Sequence, residues 1–403
     1  MRRGVVIRFL AGVGVSAFGD WLTTFALAVV LYQDTHSYGA TAGYFLVRVA
    51  PRPLGSWLGG PLGDLVSPRL AILGAAVSQG AITAAIAVPL ASGHALWSVY
   101  VLAGLSQLVG GSWQPLTAAV MARLATGPSR HALNLAYILL IGGAMLVSPA
   151  IGALLLPSLG AVPLVLADAV TFGVAAALFL SVPAIPGAAA QRVSPLGAAF
   201  GGFAAVMRQR TLRVIFVGAF SATATIIALQ AALPALASER LGSSADAGLL
   251  YASVGLGSVG GSLLALWRPL RRPQVILPGV AAEIAGAGLL AIIGPPAADL
   301  VVLTLSTAAA SLAQVEGGVL IQSQAPATVG RIQGAVSTSR FLGMASGATL
   351  ALLLAPTVTW QVLVFALGLG GLVLLGVSAL GRQTGAEAAG WGASTSPLGD
   401  IPD

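Results

Sequence analysis

The sequence lacks cysteine and lysine altogether and holds few charged residues of any kind. Without cysteine, disulfide bonds, thiolate nucleophiles and cysteine-ligated metal sites are excluded. Charged residues make up only 8% of the chain, whereas a soluble globular domain carries about 25%. Because so few charges cannot cover a water-facing surface, a soluble globular protein is excluded and a lipid environment is indicated.

Hydrophobic residues make up most of the chain instead. They account for 57% of the sequence, and the mean hydropathy is +0.93. A helix that crosses a bilayer needs about 20 mostly apolar residues. With short connections, the 403 residues therefore have room for about twelve such helices.

Apolar runs between charged, proline or glycine residues predict where these helices lie. In the first half the predicted spans are 9–32, 40–62, 70–91, 96–121, 132–156 and 162–182. In the second half they are 212–237, 247–267, 275–294, 300–321, 332–354 and 358–380. The prediction is an all-α polytopic membrane protein with twelve transmembrane helices in two six-helix bundles.

The arginines predict the orientation of the spans, because cytoplasmic loops collect basic residues. The N-terminus and every second connection hold Arg2, Arg3, Arg8, Arg69, Arg123, Arg130, Arg192, Arg208, Arg210, Arg213, Arg268, Arg271, Arg272, Arg331 and Arg382. Arg240 falls on the other side, together with Asp34, Glu239, Asp246 and Asp299. We expect an inner (plasma) membrane protein with both termini in the cytoplasm and no cleavable signal peptide. The net charge of +7 reflects this asymmetry, so no nucleic-acid partner is expected.

The longest connection divides the chain into two halves. Ser194 as N-cap and Pro195 at the first helical position predict a helix there. Its apolar residues recur at helical spacing and favour an amphipathic helix on the inner membrane surface, with a simple linker as the alternative; they are Leu196, Phe200, Phe203 and Met207. The predicted units are an N-terminal bundle (1–183), a cytoplasmic linker (184–211), a C-terminal bundle (212–381) and a disordered cytoplasmic tail (382–403).

The hairpin after the second span resembles a known family signature. Gly60-Pro-Leu-Gly-Asp64-Leu-Val-Ser-Pro-Arg69 is similar to the major facilitator motif of a glycine, an aspartate four residues later, and basic residues after a turn. Leu65 stands where a basic residue is usual and Ser67 where a glycine is usual. The resemblance implies the major facilitator fold.

Further motifs resemble the branch of this family that contains the enterobactin exporter and the macrolide-efflux permeases. They are Phe18-Gly-Asp20-Trp21-Leu, Pro51-Arg52, Gln114-Pro115, Ala132-Leu-Asn134, Ser148-Pro149-Ala-Ile-Gly152, Ala167-Asp168-Ala-Val-Thr171-Phe172, Leu233-Pro234, the glycine run from Gly255 to Gly261, and Gly330-Arg331. The resemblance covers about residues 5–380. It implies a rocker-switch transporter whose helices 1, 4, 7 and 10 line a central cavity, driven by protons and exporting a siderophore, antibiotic or other amphipathic compound.

Charged residues inside the predicted spans are candidates for proton coupling, because intramembrane charge is expensive. Asp20 lies about 12 residues beyond Arg8, which puts it near the midplane at about 1.5 Å per residue. Arg48 and Arg52 share one face of the second span at a similar depth. We expect Asp20 to pair with one of them, either as a coupling site or as a static ion pair that fixes helix packing.

In the second half, Glu316 and Arg340 fall at similar predicted depths and form a candidate second pair. Glu283 has no arginine in its own hairpin, and burial of an isolated carboxylate favours its protonated form. A structural or lateral-access role is favoured for Glu283, because helix 9 is peripheral in the family fold. Asp168 is expected to pack against neighbouring backbone or hydroxyl groups.

Gating and substrate contacts have their own candidates. The resemblance implies that Gly60, Asp64 and Arg69 lock the cytoplasmic side, with ordinary solvation of a helix end as the alternative. Polar and aromatic side chains on cavity helices are candidates for substrate binding, although each could instead face lipid or a neighbouring helix. They are Trp21, Gln107, Trp113, Gln114, Tyr137, Gln230 and Gln314.

Several other functions find no support in the sequence. The residues His36, His94 and His131 lie on different connections and form no metal site. The glycine-rich stretches lack the Lys-Ser/Thr of a nucleotide-binding loop, so no cofactor is expected and an ion gradient is the expected energy source. We expect a monomer in the lipid bilayer whose partners are a small-molecule substrate and protons. A nutrient importer and a membrane-embedded enzyme or non-transporting scaffold are the alternatives.

Overall fold

The chain folds into α-helices throughout the part that the computed structural model describes. These residues are 3–65, 67–92, 96–124, 128–182, 203–204, 206–265, 273–292, 294–322, 324 and 326–380. Fourteen α-helices lie within them, which confirms the predicted all-α fold class. Ser194, Pro195, Leu196 and Phe200 of the expected linker helix lie outside the described residues, as does the tail at 382–403.

Eight of the described α-helices lie in the first sequence half and six in the second. The first half contains α1 (Arg3–Thr35), α2 (Tyr38–Val49), α3 (Arg52–Leu65), α4 (Pro68–Ser92), α5 (Leu96–Gly110), α6 (Trp113–Leu124), α7 (Pro128–Leu159) and α8 (Ala161–Phe179). The second half contains α9 (Arg210–Arg240), α10 (Ala247–Leu264), α11 (Ile276–Leu290), α12 (Pro296–Gln322), α13 (Pro326–Leu354) and α14 (Trp360–Leu380). A 3₁₀ turn (Ser244–Asp246) precedes α10.

Most of these helices can cross a membrane on their own. Eight helices of the described chain are long and apolar enough to do so. The apolar α11 has 15 residues and α13 has 29 residues, and the pairs α2/α3 and α5/α6 each occupy one predicted span. The chain is therefore a multi-pass membrane protein, and its helices are consistent with twelve crossings.

Two of the predicted spans are broken in the middle. In the second span, α2 ends at Val49 and α3 begins at Arg52. In the fourth span, α5 ends at Gly110 and α6 begins at Trp113. Pro51 has no backbone N–H and so cannot close the turn before it. Proline alone does not explain the breaks, because α4, α7 and α9 contain Pro89, Pro149 and Pro234 and stay continuous.

The two breaks cross each other, and glycine makes the close approach possible. A side chain at Gly55 would collide with the backbone carbonyl of Leu108, and one at Gly111 would lie 3.0 Å from the Cα atom of Arg52. Broken helices near the middle of the membrane are a common feature of transporter binding sites. The crossing fixes the backbone of Arg52 against α5.

The apolar cores show that the two halves meet at one end and separate at the other. We call the end at which α1 begins the proximal end and the end at which it finishes the distal end. At the distal end one cluster joins both halves, including Phe25, Leu31, Leu233, Tyr251 and Ala351. At the proximal end each half has its own clusters, around Phe9 and Phe179 in the first half and around Ile215, Ile332 and Val280 in the second. The described core is thus sealed distally and split proximally.

Candidate functional site

A buried ion pair joins α1 and α2 in the first half. The Nη2 atom of Arg48 lies 3.0 Å from Oδ2 of Asp20, and the two side chains are 10% and 24% exposed. Asp20 occupies the middle of α1, while Arg48 lies next to the end of α2. The structure therefore selects Arg48, rather than Arg52, as the direct partner of Asp20.

Two further side chains extend the ion pair into a chain of hydrogen bonds. The Nε atom of Arg52 donates to Oε1 of Gln107 at 2.8 Å. The Nε2 atom of Gln107 donates in turn to Oδ1 of Asp20 at 3.2 Å. Asp20 thus accepts from Arg48 on one oxygen and from Gln107 on the other, so one carboxylate links α1 to α2 and α5.

An aromatic ring holds the other side of Arg48. The Nη1 atom of Arg48 donates to the hydroxyl of Tyr44 at 3.4 Å, and the guanidinium carbon lies 5.7 Å from the centre of the tyrosine ring. Tyr44 is 1% exposed. A cation over an aromatic face is stabilised by the ring quadrupole, more strongly in a dry environment. Arg48 is therefore held in one place by both Asp20 and Tyr44.

A second carboxylate lies beside this group. Asp168 of α8 is buried, and its Oδ1 atom accepts a hydrogen bond from the Thr171 hydroxyl at 3.2 Å. The contact between α1 and α8 is tight, since a side chain at Gly19 would lie 3.0 Å from the Cα atom of Asp168. The expected hydroxyl contact of Asp168 is present. Its charged neighbours are Asp20 and Arg48.

These residues surround a small polar cavity. The cavity has a volume of about 10 Å³, which is room for about one water molecule. The lining residues come from five helices of the first half and are Asp20, Thr23, Leu27, Tyr44, Arg48, Thr83, Ile86, Ala103, Ser106, Gln107 and Asp168. A cavity of this size admits water or a proton but not an organic substrate.

The substrate-contact candidates fall into different environments. Trp113 is held inside the first half, because its Nε1 donates to Oε1 of Gln79 at 2.5 Å and its ring lies 5.7 Å from that of Phe179. This environment matches the helix-packing alternative for Trp113. Gln79, which is 3% exposed, was not identified from the sequence as a partner of Trp113. A glutamine inside a predicted span does indicate a buried polar contact.

The remaining candidates are spread over several helices. Gln107 belongs to the network, and Gln230 is buried on α9, where its carbonyl accepts from the Tyr251 hydroxyl at 2.7 Å. Trp21 is half-buried on α1. Tyr137 of α7 is half-buried and interacts electrostatically with Arg52. Gln114 and Gln314 are exposed.

The predicted ion pair between Glu316 and Arg340 does not form within the described chain. Within the described chain, the ion pairs shorter than 4.0 Å are Asp20–Arg48 and Arg240–Asp299. Glu283 of α11 is a charged neighbour of Arg340. Equal depth does not ensure contact, because two helices at one height can present their side chains in different directions. Glu316 is buried and has other contacts.

The gating candidates lie at the proximal end. Gly60 and Asp64 belong to α3, and their side chains lie outside the described residues. Arg69 is half-buried near the start of α4. At the distal end an unpredicted cluster ties α9 to its neighbours. The Nη1 atom of Arg240 lies 2.8 Å from Oδ1 of Asp299 on α12. The Oε1 atom of Glu239 accepts a hydrogen bond from the indole N–H of Trp360 on α14 at 3.1 Å.

The described residues contain no group of three or more histidine, aspartate or glutamate side chains that could hold a metal ion. The polar chemistry of the first half is that of a carboxylate held by one guanidinium group and one amide, with a second guanidinium group bound to that amide. Such a site can take up a proton, exchange hydrogen-bond partners, or neutralise an anion.

Comparisons with known proteins agree with the architecture. The family model described as Major Facilitator Superfamily matches residues 9–348. A POT family transporter in complex with a thioalcohol-conjugated peptide has a TM-score of 0.72 at 14% identity, covering 93% of this chain and 95% of that chain. A mutant of the nucleoside transporter NupG has a TM-score of 0.70 at 15% identity, covering 93% and 98%.

A bacterial homologue of the human lysosomal transporter Spinster is also similar, with a TM-score of 0.68 at 13% identity over 94% of this chain and 96% of that chain. At these identities the structural likeness shows the fold alone. No curated protein sequence matches the chain.

Proposed function

The chain belongs to the major facilitator superfamily and is therefore a transporter of small molecules rather than an enzyme, and we propose that it exports small amphipathic compounds in exchange for protons. The proposed direction follows the motifs shared with the enterobactin and macrolide exporters, such as the Phe18-Gly-Asp20-Trp21-Leu stretch. The protein acts as a monomer in the plasma membrane, with both termini in the cytoplasm.

Alternating access uses the two halves as rigid units. The N-terminal bundle is 1–183 and the C-terminal bundle is 212–381, joined by the linker at 184–211. The sealed distal core and split proximal cores support a resting state that opens toward the arginine-rich side of the membrane. On the proposed orientation this side is the cytoplasm, from which an exporter takes its cargo.

The observation that carries the proton-coupling proposal is the position of Asp20 between Arg48 and Gln107. A proton on Asp20 removes the negative charge that holds Arg48. A buried guanidinium left without its counter-ion is unstable by several kcal/mol. Arg48 then moves away, and α2 moves with it.

The second helix also reaches the seam between the halves. The Tyr38 hydroxyl at its distal end donates to the carbonyl of Val358 at 2.5 Å, and Gly43 is positioned so that a side chain there would lie 3.5 Å from Leu352. A change at Arg48 is therefore transmitted along α2 to the contact with α13 and the turn after it. Proton uptake at one end of α2 alters the closure at the other.

The experiment compares drug resistance in a bacterial host that lacks its main efflux pumps. Expression of the chain should raise the inhibitory concentration of at least one compound in a panel of amphipathic antibiotics and dyes, and an uncoupler should abolish the protection. Asp20→Asn should remove the protection. The matched control is Asp34→Asn, which makes the same change at the exposed end of the same helix.

Three results would contradict the proposal. Uncoupler-insensitive protection would exclude the proton gradient as the driving force. Greater accumulation of a panel compound in expressing cells would favour the importer. Equal protection by the Asp20→Asn and Asp34→Asn proteins would remove Asp20 from the coupling mechanism.

A further inference from the structure

The charges of the central network are unevenly distributed, and one arginine stands apart from its counter-ions. Arg48 contacts Asp20 directly and is also a charged neighbour of Asp168. Arg52, one helical turn away, contacts the neutral side chain of Gln107 through Nε. No carboxylate of the described chain lies within 4.0 Å of Arg52.

An intramembrane guanidinium with only a neutral partner calls for an anion. Charged side chains in membrane proteins almost always pair or face a water-filled path, because an isolated charge in a low-dielectric region is expensive. Asp20 lies within electrostatic range of Arg52, but Arg48 already occupies one of its oxygens. The second carboxylate of the group, Asp168, is a charged neighbour of Arg48 rather than of Arg52.

Arg52 also lies on the proximal side of the break in the second span. It begins α3, which runs from the break toward the proximal end, whereas Arg48 belongs to the helix on the distal side of the break. Its side chain is half-buried, so it is screened from bulk water and still accessible to a ligand. Nε is engaged by Gln107, which leaves both terminal nitrogens of the fork for a bidentate contact.

The backbone around Arg52 adds to the positive potential and fixes the geometry. Helices α3 and α6 both begin at the crossing of the two breaks, and the N-terminus of a helix favours negative charge. The close approach of Gly111 to the Arg52 backbone holds the residue in place. Tyr137 of α7, which is half-buried, is an electrostatic neighbour of Arg52.

We propose that Arg52 binds the anionic group of the cargo, and that the transported compounds are amphipathic organic anions such as aromatic carboxylates. This inference rests on the proposed transport function and names the substrate class. The carboxylate of the cargo accepts from the two terminal nitrogens of Arg52. Asp20, held by Arg48 and Gln107, remains available for protons.

The test measures binding rather than transport, so that its outcome is independent of the export assay. The purified full chain in nanodiscs of neutral lipid is titrated with three tritiated probes that differ in charge: 1-naphthoate, neutral 1-naphthamide and cationic 1-naphthylmethylammonium. Naphthoate should bind roughly tenfold or more tightly than the amide, the size expected for charge-assisted hydrogen bonds. The cation should bind more weakly than either.

Variants assign the preference to Arg52. Arg52→Gln should abolish the difference between naphthoate and its amide, Arg52→Lys should retain part of it, and Arg8→Gln, which makes the same change at an exposed position, should leave it intact. Equal binding of the three probes, binding of none, or a naphthoate preference that survives Arg52→Gln overturns the proposal. Anion-selective binding without export would refute the proposed function and leave this inference standing. Export of neutral or cationic compounds, without anion selectivity in binding, would do the reverse.

Discussion

The two halves of the transporter differ in how they handle buried charge. The first half gathers its intramembrane charges into one connected group around Asp20 and crosses two broken helices beside it. Each second-half span lies on one helix as far as the structure describes it, and Arg340 has Glu283 as a charged neighbour without a described ion pair shorter than 4.0 Å. Its ion pair, Arg240–Asp299, lies at the distal end instead.

This difference suggests a division of labour. A network in which each member is held by the next changes as a unit when one proton arrives, because removing one hydrogen bond leaves a buried partner unsatisfied. Separated charges respond one at a time. On the proposed mechanism, the first half is the proton-responsive unit and the second half supplies the surface against which it moves.

The largest effect should follow loss of the arginine that holds Asp20. Arg48→Met should destabilise the protein by about 3–5 kcal/mol, because it leaves a buried carboxylate without its counter-ion. The double variant with Asp20→Asn should recover much of this loss. Thermal unfolding of the purified protein in detergent, followed by size-exclusion chromatography, measures both.

Arg340→Met is the matched change in the second half and should be milder, because Arg340 makes no ion pair shorter than 4.0 Å within the described chain. Equal destabilisation by the two substitutions, or no recovery in the double variant, would abolish the distinction between the halves.

The crossing of the broken helices should be nearly as sensitive. Gly111→Ala places a methyl group against the Arg52 backbone and should cost about 1–3 kcal/mol, as overpacking of a close contact does. Gly370→Ala in α14 is the control, because nothing lies within 4 Å of that position. Both are checked by the same unfolding assay, and a Gly111→Ala protein as stable as the control would show that the crossing is loose.

Sequence reasoning succeeded where the position of a residue along its helix was sufficient for the prediction. The rise per residue of a helix gives depth, so counting residues placed Asp20, Arg48 and Arg52 at one level, and the structure joins these three through direct contact and through Gln107. Counting left two possible partners for Asp20, and it wrongly joined Glu316 to Arg340, because depth says nothing about the direction in which a helix presents a side chain.

The helix breaks could not be predicted from the sequence for a related reason. Pro51 resembles Pro149 and Pro234 as a local signal, yet only Pro51 lies at a break. What distinguishes it is the neighbouring helix, whose Leu108 carbonyl and Gly111 fill the space beside Gly55. Such tertiary contacts override local preference, and no spacing along one span reveals them.

A smaller effect is expected at the seam between the halves. Tyr38→Phe removes the hydrogen bond to Val358 across the distal seam and should shift the equilibrium toward distal opening by about 1 kcal/mol, or roughly fivefold. Since the chain has no cysteine, Ala351→Cys in the distal core supplies a single reporter. Its rate of labelling by a membrane-impermeant maleimide should rise accordingly.

The control for the seam is Tyr100→Phe. This substitution also removes a hydroxyl that donates to a backbone carbonyl, that of Ala40 at 3.0 Å, but the bond lies within the first half. Labelling should therefore stay near the wild-type rate. If Tyr100→Phe accelerates labelling as much as Tyr38→Phe does, the seam is not where the distal closure is decided.

The smallest effects should come from the carboxylates of the second half. Glu283→Gln and Glu316→Gln should each change uncoupler-sensitive drug protection by less than about twofold, since neither side chain shares the network in which one proton releases several partners at once. The measurement is the resistance assay used for Asp20→Asn, read at matched expression.

A loss of coupling in Glu316→Gln comparable to that in Asp20→Asn would mean that both halves carry protons, and that the connected network of the first half is only one of two coupling sites. Because Glu316 is buried at 7% exposure whereas Glu283 is half-buried, the Glu316 substitution is the sharper of the two tests.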